Sequence, residues 1–295
     1  MTISSLDSAT VTLQQLIDAN KSQQQKLAEQ LTAMIATSIQ KASNQASLDQ
    51  AQSIAHIPFQ QFRLDNRQLE ANDVFVLLKS QTANSEKSRD YLLQAAEQAA
   101  FILSEIDPSI LLSEATNLSN TSSEPQTDSI ASMQQLAALP CPVLYVPNIR
   151  DFLGSLIQAR LQYQQPVTLP TVVAVTGTNG KTTISQLVAQ LTQLMGQSSA
   201  VMGTAGNGRF GALVQASHTT GDALAVQQFL YQMGTEQAEI LALEASSHGL
   251  DQQRLQGMPV TVAIYTNLSR DHLDYHADMA EYAAAKAKLF DKAHF

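Results

Sequence analysis

Cysteine is almost absent from this sequence: Cys141 is the single one among 295 residues. A lone cysteine excludes an intrachain disulfide framework and fits a reducing compartment. It stands beside a strand-like run at 143–146, which reads as buried filler rather than a nucleophile. Charge is also scarce, at 15% of residues, with a net of −9 and no dense Lys/Arg run. That balance argues against a nucleic-acid or membrane-surface partner and leaves room for a local basic pocket. No stretch approaches the roughly 18 apolar residues that span a bilayer. No basic residue precedes Lys21, and no apolar core of a secretory signal follows the first residue. The expectation is a cytoplasmic protein with no membrane insertion.

What is present is a globular composition, 44% hydrophobic over a length suited to two domains. Leu13, Leu16 and Ile17, then Leu27, Leu31, Met34, Ile35 and Ile39, recur at helical spacing and read as packing faces. Asp73 opens an apolar run to Leu78. A helix over about 88–99 and a strand at 101–103 follow it, giving a βαβ-type unit. Residues 116–133, rich in Ser, Thr and Asn, read as a mobile surface loop. Val143–Val146 closes this first domain, Pro147 and Asn148 mark a boundary at about 149, and a helix over 150–163 leads onward.

The chain is organised around the stretch from Thr171 to Thr183. A β-branched apolar run stops at Gly177, and Gly180 precedes Lys181, Thr182 and Thr183. Ile184, Leu187, Val188, Leu191, Leu194 and Met195 then repeat at helical spacing up to Gly196. Strand, glycine loop and helix in that order surround a phosphate with backbone N–H groups. Lys181 supplies a charge for β/γ-phosphates, and the Thr182 hydroxyl a ligand for Mg²⁺. The common spacing asks for a glycine where this chain has Val175.

Further strands are expected at 199–202, 239–244 and 260–266, with Gly203–Gly208 as a glycine-rich turn. Alternating strands and helices imply a mostly parallel sheet covered on both faces, with ligands at the C-terminal strand ends. Three such ends are polar: 177–183, 244–248 and 267–272. Glu244 leaves a buried strand, where a carboxylate needs a metal or a salt bridge. His272 could add a neutral nitrogen ligand. Asp278 and Glu281 form a capping-box pattern for a helix carrying Lys286, which by itself reads as a surface charge.

The segments 175–183, 218–221, 244–250 and 266–276 together resemble the Mur ligases, and within them the tripeptide-forming branch. The likeness is close over about 144–290 and holds in outline before that. It implies an α/β fold: a small N-terminal α/β uridine-binding domain over residues 1–149, then a P-loop-type parallel-sheet ATPase domain over 150–295. Family members continue into a third, amino-acid-binding domain, so the second domain is expected to be truncated. The implied reaction is ATP-dependent ligation in peptidoglycan synthesis, joining diaminopimelate to UDP-MurNAc-L-Ala-D-Glu through an acyl phosphate. L-Lysine as the added amino acid, or a non-catalytic nucleotide- and UDP-sugar-binding fragment, are the alternatives. A folate- or cyanophycin-type ligase fits the run from Ser246 to Arg254 poorly.

By position, the resemblance assigns Gly177, Thr178, Asn179, Gly180, Lys181, Thr182 and Thr183 to ATP. It assigns Lys181, Glu244, His272 and Lys286 to catalysis. Thr182, Glu244, His272 and a carbamylated Lys286 would be Mg²⁺ ligands. His218, Thr219, Thr220, Ser246, Gln252 and Arg254 fall where the family binds the UDP-muramoyl dipeptide. Leu64 and Asn66 fall at the uridine site, where the family usually has Ser in place of Asn66, and the turn at 79–83 lacks the usual glycine. Nothing in the residues sets an oligomeric state.

Overall fold

Short apolar runs bounded by polar residues form a parallel sheet and a second, mostly parallel one in a computed structural model that describes residues 9–22, 24–40, 53–80, 84–113, 134–215 and 219–291. The chain divides into two compact units, Met1–Ile149 and Arg150–Phe295. The loop expected over 116–133 and the end of the 79–83 turn lie outside the described residues.

The first unit opens with two helices, α1 (Leu13–Asn20) and α2 (Gln25–Gln40). Thr12 starts α1 with a capping box: its hydroxyl accepts from Gln15 N–H, and Gln15 Oε1 accepts from Thr12 N–H. Leu13, Leu16, Leu27 and Leu31 are buried, as their spacing predicts. The sheet follows, with β1 (Phe62–Arg63), β2 (Val74–Leu77), β3 (Phe101–Ser104) and β4 (Val143–Tyr145) all parallel in that order. β1 has only two residues, too few for the alternation by which a strand is read from sequence. Helix α3 (Ser85–Ala96) begins earlier than its apolar pattern because Asn84 accepts from Lys87 N–H at 3.0 Å and caps it. Helix α4 (Pro108–Ser113) follows β3. Cys141 is buried; burial, then the charge of Glu97, pushes its thiol up to about 12, as befits filler.

In the second unit α5 (Leu153–Gln164) leads to β5 (Thr171–Thr176), and α6 (Lys181–Leu194) to β6 (Ser199–Gly203). The glycine-rich stretch after β6 is no simple turn. It folds back as β7 (Gly206–Arg209), antiparallel to β6, a strand whose glycines hide it from any apolar pattern. Then come α7 (Ala223–Thr235), β8 (Ile240–Glu244), α8 (Ser247–Asp251), β9 (Val260–Tyr265) and α9 (Met279–Ala287). The strand order is β7-β6-β8-β5-β9. β5 therefore lies between β8 and β9, and the polar ends of the parallel strands meet at one edge. One face of the sheet, with Val172, Ala174, Leu241 and Leu243, packs on Val226, Leu230 and Met233 of α7. On α6 the sheet takes the small residues Ser185, Ala189 and Thr192, while Leu187, Leu191 and Leu194 of the sequence-evident stripe are exposed.

Gly154 shows how tightly this unit closes. A Cβ there would overlap the carbonyl oxygen of Gln256. That carbonyl accepts from Gln227 Nε2 at 2.9 Å, and the Gln256 side chain is held by Ser155 N–H and Oγ. Alanine for glycine inside a helix ordinarily stabilises by about 1 kcal/mol. Here Gly154→Ala is expected to reverse that sign and cost about 1–3 kcal/mol through overpacking. Urea unfolding of the variant, read as a midpoint shift at constant slope, checks it.

Candidate active site

The glycine loop begins where β5 ends. Val175, which stands where the common spacing has glycine, is an interior strand residue paired with Glu244 and Ile264. The loop is therefore short and starts at Gly177, whose φ of 141° suits glycine alone and whose Cβ would strike Thr266 Oγ1. Gly180, at φ 84°, is the N-cap of α6. The first backbone bond of that helix runs from Ile184 N–H to Gly180 O at 2.9 Å. The N–H groups of Lys181, Thr182 and Thr183 precede it and are left for a ligand.

Two lysines converge on one atom of this loop. Lys181 Nζ donates to Gly177 O at 2.8 Å and to Thr178 O at 2.9 Å. Lys286 Nζ, from the last turn of α9, donates to the same Gly177 O at 2.8 Å and lies 4.5 Å from the centre of the Tyr282 ring. Lys286 is buried rather than the surface charge its surroundings in sequence suggest. Burial, and then the Lys181 ammonium, lower its pKa from 10.5 to about 8; Asp271 opposes this. Burial also lowers Lys181, against the attraction of Glu244 and Asp271. Helix α9 is positioned by Asp278, whose side chain accepts from Glu281 N–H; Glu281 reaches back to Ala277 N–H.

Glu244, at the end of β8, is fully buried. Its Oε1 accepts from Thr204 N–H at 2.9 Å; its Oε2 accepts from the hydroxyls of Thr182 at 3.0 Å and Thr204 at 3.2 Å. Gly203 permits the approach, since a Cβ there would overlap the carboxylate. Among the described residues no cation lies within ion-pairing distance of Glu244, so the salt bridge weighed as its alternative is not formed. A buried charge held only by neutral donors, one of them Thr182, fits a divalent cation with hard oxygen ligands. No group of three or more His, Cys, Asp or Glu that could hold a metal occurs among the described residues, so any such ion needs oxygens from elsewhere.

These groups face a cavity of about 430 Å³. Of the residues singled out from sequence, Thr178, Asn179, Gly180, Lys181, Thr182, Glu244, His272 and Lys286 line it. Thr219, Thr220, Ser246 and Arg254 line it as well. Each is braced: Thr220 Oγ1 donates to Glu244 O at 2.9 Å, Ser246 Oγ caps α8 by accepting from Gly249 N–H, and Arg254 Nη1 donates to Thr220 O at 3.0 Å. Gln252 is not on the wall; its Oε1 accepts from Arg254 Nη2 at 2.7 Å and aims the guanidinium. Thr183 is exposed outside the cavity, and Gly177 lies behind its wall. His218 is outside the described residues. Leu64 and Asn66 belong to the first unit, where Asn66 Nδ2 donates to Gln94 Oε1 at 2.7 Å.

Three lining residues had no assignment from sequence: Thr204, Ser247 and His248. Thr204 follows a glycine in a run without periodicity, so only its bonds to Glu244 reveal it. The His248 ring lies tilted 4.1 Å from that of Tyr275 and edge-on 5.0 Å from that of His272, centre to centre. Burial, then His272 and His276, lower its pKa, which keeps the imidazole neutral at pH 7.

The family described as Mur ligase middle domain matches residues 175–295. A UDP-N-acetylmuramoyl-L-alanyl-D-glutamate–2,6-diaminopimelate ligase of Haemophilus ducreyi is 40% identical over 235 residues, which are 80% of this chain and 44% of that protein. The ligase of the same name from Chromobacterium violaceum is 38% identical over 79% of this chain and 42% of its own length. A solved structure of a ligase of that name superposes with a TM-score of 0.64 at 37% identity, over 80% of this chain and 42% of that one. The chain thus spans less than half the length of these relatives.

Because Lys286 falls from 10.5 unfolded to about 8 folded, the folded chain binds fewer protons between those values. Stability therefore rises with pH across that window, and the cost of the buried ammonium is fully present below about 8. Lys286→Met is expected to stabilise the chain at pH 7 by up to about 3 kcal/mol, with the gain fading as pH nears 10.5. Thermal unfolding in CO₂-free buffer checks this; equal midpoints at pH 7 would show that the buried amine carries no penalty.

Proposed function

This chain belongs to the Mur ligase family, and we propose that it carries the nucleotide and UDP-sugar sites of an ATP-dependent ligase adding meso-diaminopimelate to UDP-MurNAc-L-Ala-D-Glu. The observation that carries the reading is the single cavity shared by the glycine loop, Lys181, Glu244 and Lys286. The names of relatives at 37–40% identity favour diaminopimelate over lysine. In this reading residues 1–149 bind the UDP-sugar, through Leu64 and Asn66, and residues 150–295 bind ATP. ATP as co-substrate places the reaction in the cytoplasm. The convergence of Lys181 and the buried Lys286 on one carbonyl speaks against a binding module alone, since a phosphate cradle needs only the first.

The loop N–H groups and Lys181 hold the β- and γ-phosphates in line with the D-glutamate carboxylate, and that alignment is most of the catalysis. A carboxylate oxygen forms a bond to the γ-phosphorus as the bond to the ADP oxygen breaks. The incoming amine then attacks the acyl carbon, phosphate leaves, and the amine proton is lost. Mg²⁺, held by Thr182 and Glu244, with a second ion at His272 and a carbamylated Lys286, would neutralise charge building on the phosphoryl oxygens. Thr219, Thr220, Ser246 and Arg254, the last aimed by Gln252, present donors to the dipeptide, with His218 beside them in sequence. Carbamylation joins CO₂ to the neutral Lys286 amine with release of one proton; a pKa of about 8 makes that amine available near neutral pH.

Lys181→Ala is expected to weaken Mg·ATP binding to this chain by tenfold or more, roughly the worth of one charge-assisted contact, with the fold intact. Calorimetry giving the wild-type affinity would overturn the nucleotide assignment. For Lys286, ¹³C-bicarbonate should produce a carbamate resonance in the wild type that Lys286→Met lacks. Identical spectra would remove the carbamate from the reading.

A further inference from the structure

The peptide groups around Asn179 are held by the end of the neighbouring strand. Asn267 Nδ2 donates to Asn179 O at 3.1 Å, and Asn267 Oδ1 accepts from Asn179 N–H at 3.1 Å. Thr266 Oγ1 donates to the same carbonyl at 2.6 Å. Behind these bonds the β5–β9 ladder runs past both strands: Thr266 N–H donates to Thr176 O at 3.0 Å, and Thr178 N–H to Asn267 O at 2.9 Å. Where the backbone of β9 can no longer follow the turning loop, the Asn267 carboxamide takes over. It sets an N–H donor beside a carbonyl acceptor, as successive peptide groups of a strand do.

One side chain thereby fixes two peptide planes. In a trans peptide the C=O and the next N–H point in opposite directions. With Asn179 N–H turned to Asn267, Thr178 O faces the other way, where it meets Lys181 Nζ at 2.9 Å. With Asn179 O turned to Thr266 and Asn267, the N–H of Gly180 faces away from them, on the side where Asn179, Gly180 and Lys181 line the cavity. Gly180 lacks a Cβ to resist a flip of that peptide, and a flip would aim a carbonyl oxygen at the ligand.

We propose that Asn267, with Thr266, is the positioning pair for the phosphate loop, locking the 179–180 peptide so that Gly180 N–H and Lys181 address an anion. This rests on the reading of the loop as the nucleotide-phosphate site. Sequence marked Asn267 only as the start of a polar cluster; the pairing with Asn179 gives it a task of its own.

The test uses the 295-residue chain with inorganic tripolyphosphate and Mg·ATP as probes. Asn267→Ala is expected to weaken both by about tenfold or more, with the unliganded melting temperature nearly unchanged. The Gly180 amide resonance, expected to shift on tripolyphosphate addition in the wild type, should lose that response, which a merely structural role would not remove selectively. Thr266→Val should weaken binding in the same way and Thr266→Ser restore it. These two variants decide the matter if Asn267→Ala fails to fold. Affinity within twofold of wild type together with an unchanged Gly180 response overturns the inference and leaves the site reading intact. Tripolyphosphate and Mg·ATP binding that is absent in the wild type, or identical in Lys181→Ala, overturns the site reading and the inference with it.

Discussion

The carbonyl oxygen of Gly177 receives two lysine ammonium groups, the buried one of Lys286 and the partly buried one of Lys181, and the electrostatics of the site follow from that. Two like charges on one acceptor repel, and burial removes the water that would screen them. No carboxylate is in contact with either ammonium among the described residues; Glu244 and Asp271 attract Lys181 from a distance, and Asp271 attracts Lys286. Such a pair favours an anion, or conversion of one amine into an anion. Either outcome suits a cavity whose wall also carries the Glu244 carboxylate.

That wall depends on the sheet order. With β5 placed between β8 and β9, the loop after β5 has Glu244 on one side and Thr266 and Asn267 on the other. β8 contributes a charge and β9 contributes hydrogen bonds that shape the loop. β6 adds the close approach at Gly203 and the Thr204 donors. Every strand that borders the cavity thus has a chemically different end, and the parallel arrangement gathers those ends at one edge.

Helix α9 closes the arrangement by bringing Tyr282 and Lys286, one turn apart, onto the loop. Tyr282 is buried, with its hydroxyl 3.2 Å from Thr178 Oγ1, while Lys286 reaches Gly177. The loop is therefore gripped from two directions, by β9 through backbone-like bonds and by α9 through side chains. A loop fixed in this way has little to reorganise when charge arrives, and preorganised donors stabilise developing charge most effectively.

The sequence by itself determined the α/β class, most strand positions, and the place of the glycine loop between β5 and α6, because apolar period and glycine placement are local properties. Lys181, Thr182 and Glu244 were legible for the same reason: each stands at the end of a recognisable strand or the start of a helix. Tertiary structure alone decided the rest. Lys286 reads locally as one more solvated charge, and its burial against Gly177 is a contact 109 residues apart in the chain. β7 escaped because glycines carry no apolar pattern. The leucines of α6 gave the helix but not its buried face, since the residues it buries are the small Ser185, Ala189 and Thr192, with Val188 partly buried beside them. Thr204 and Asn267 act through hydrogen bonds to Glu244 and Asn179, and such bonds depend on strand order, which no local pattern encodes.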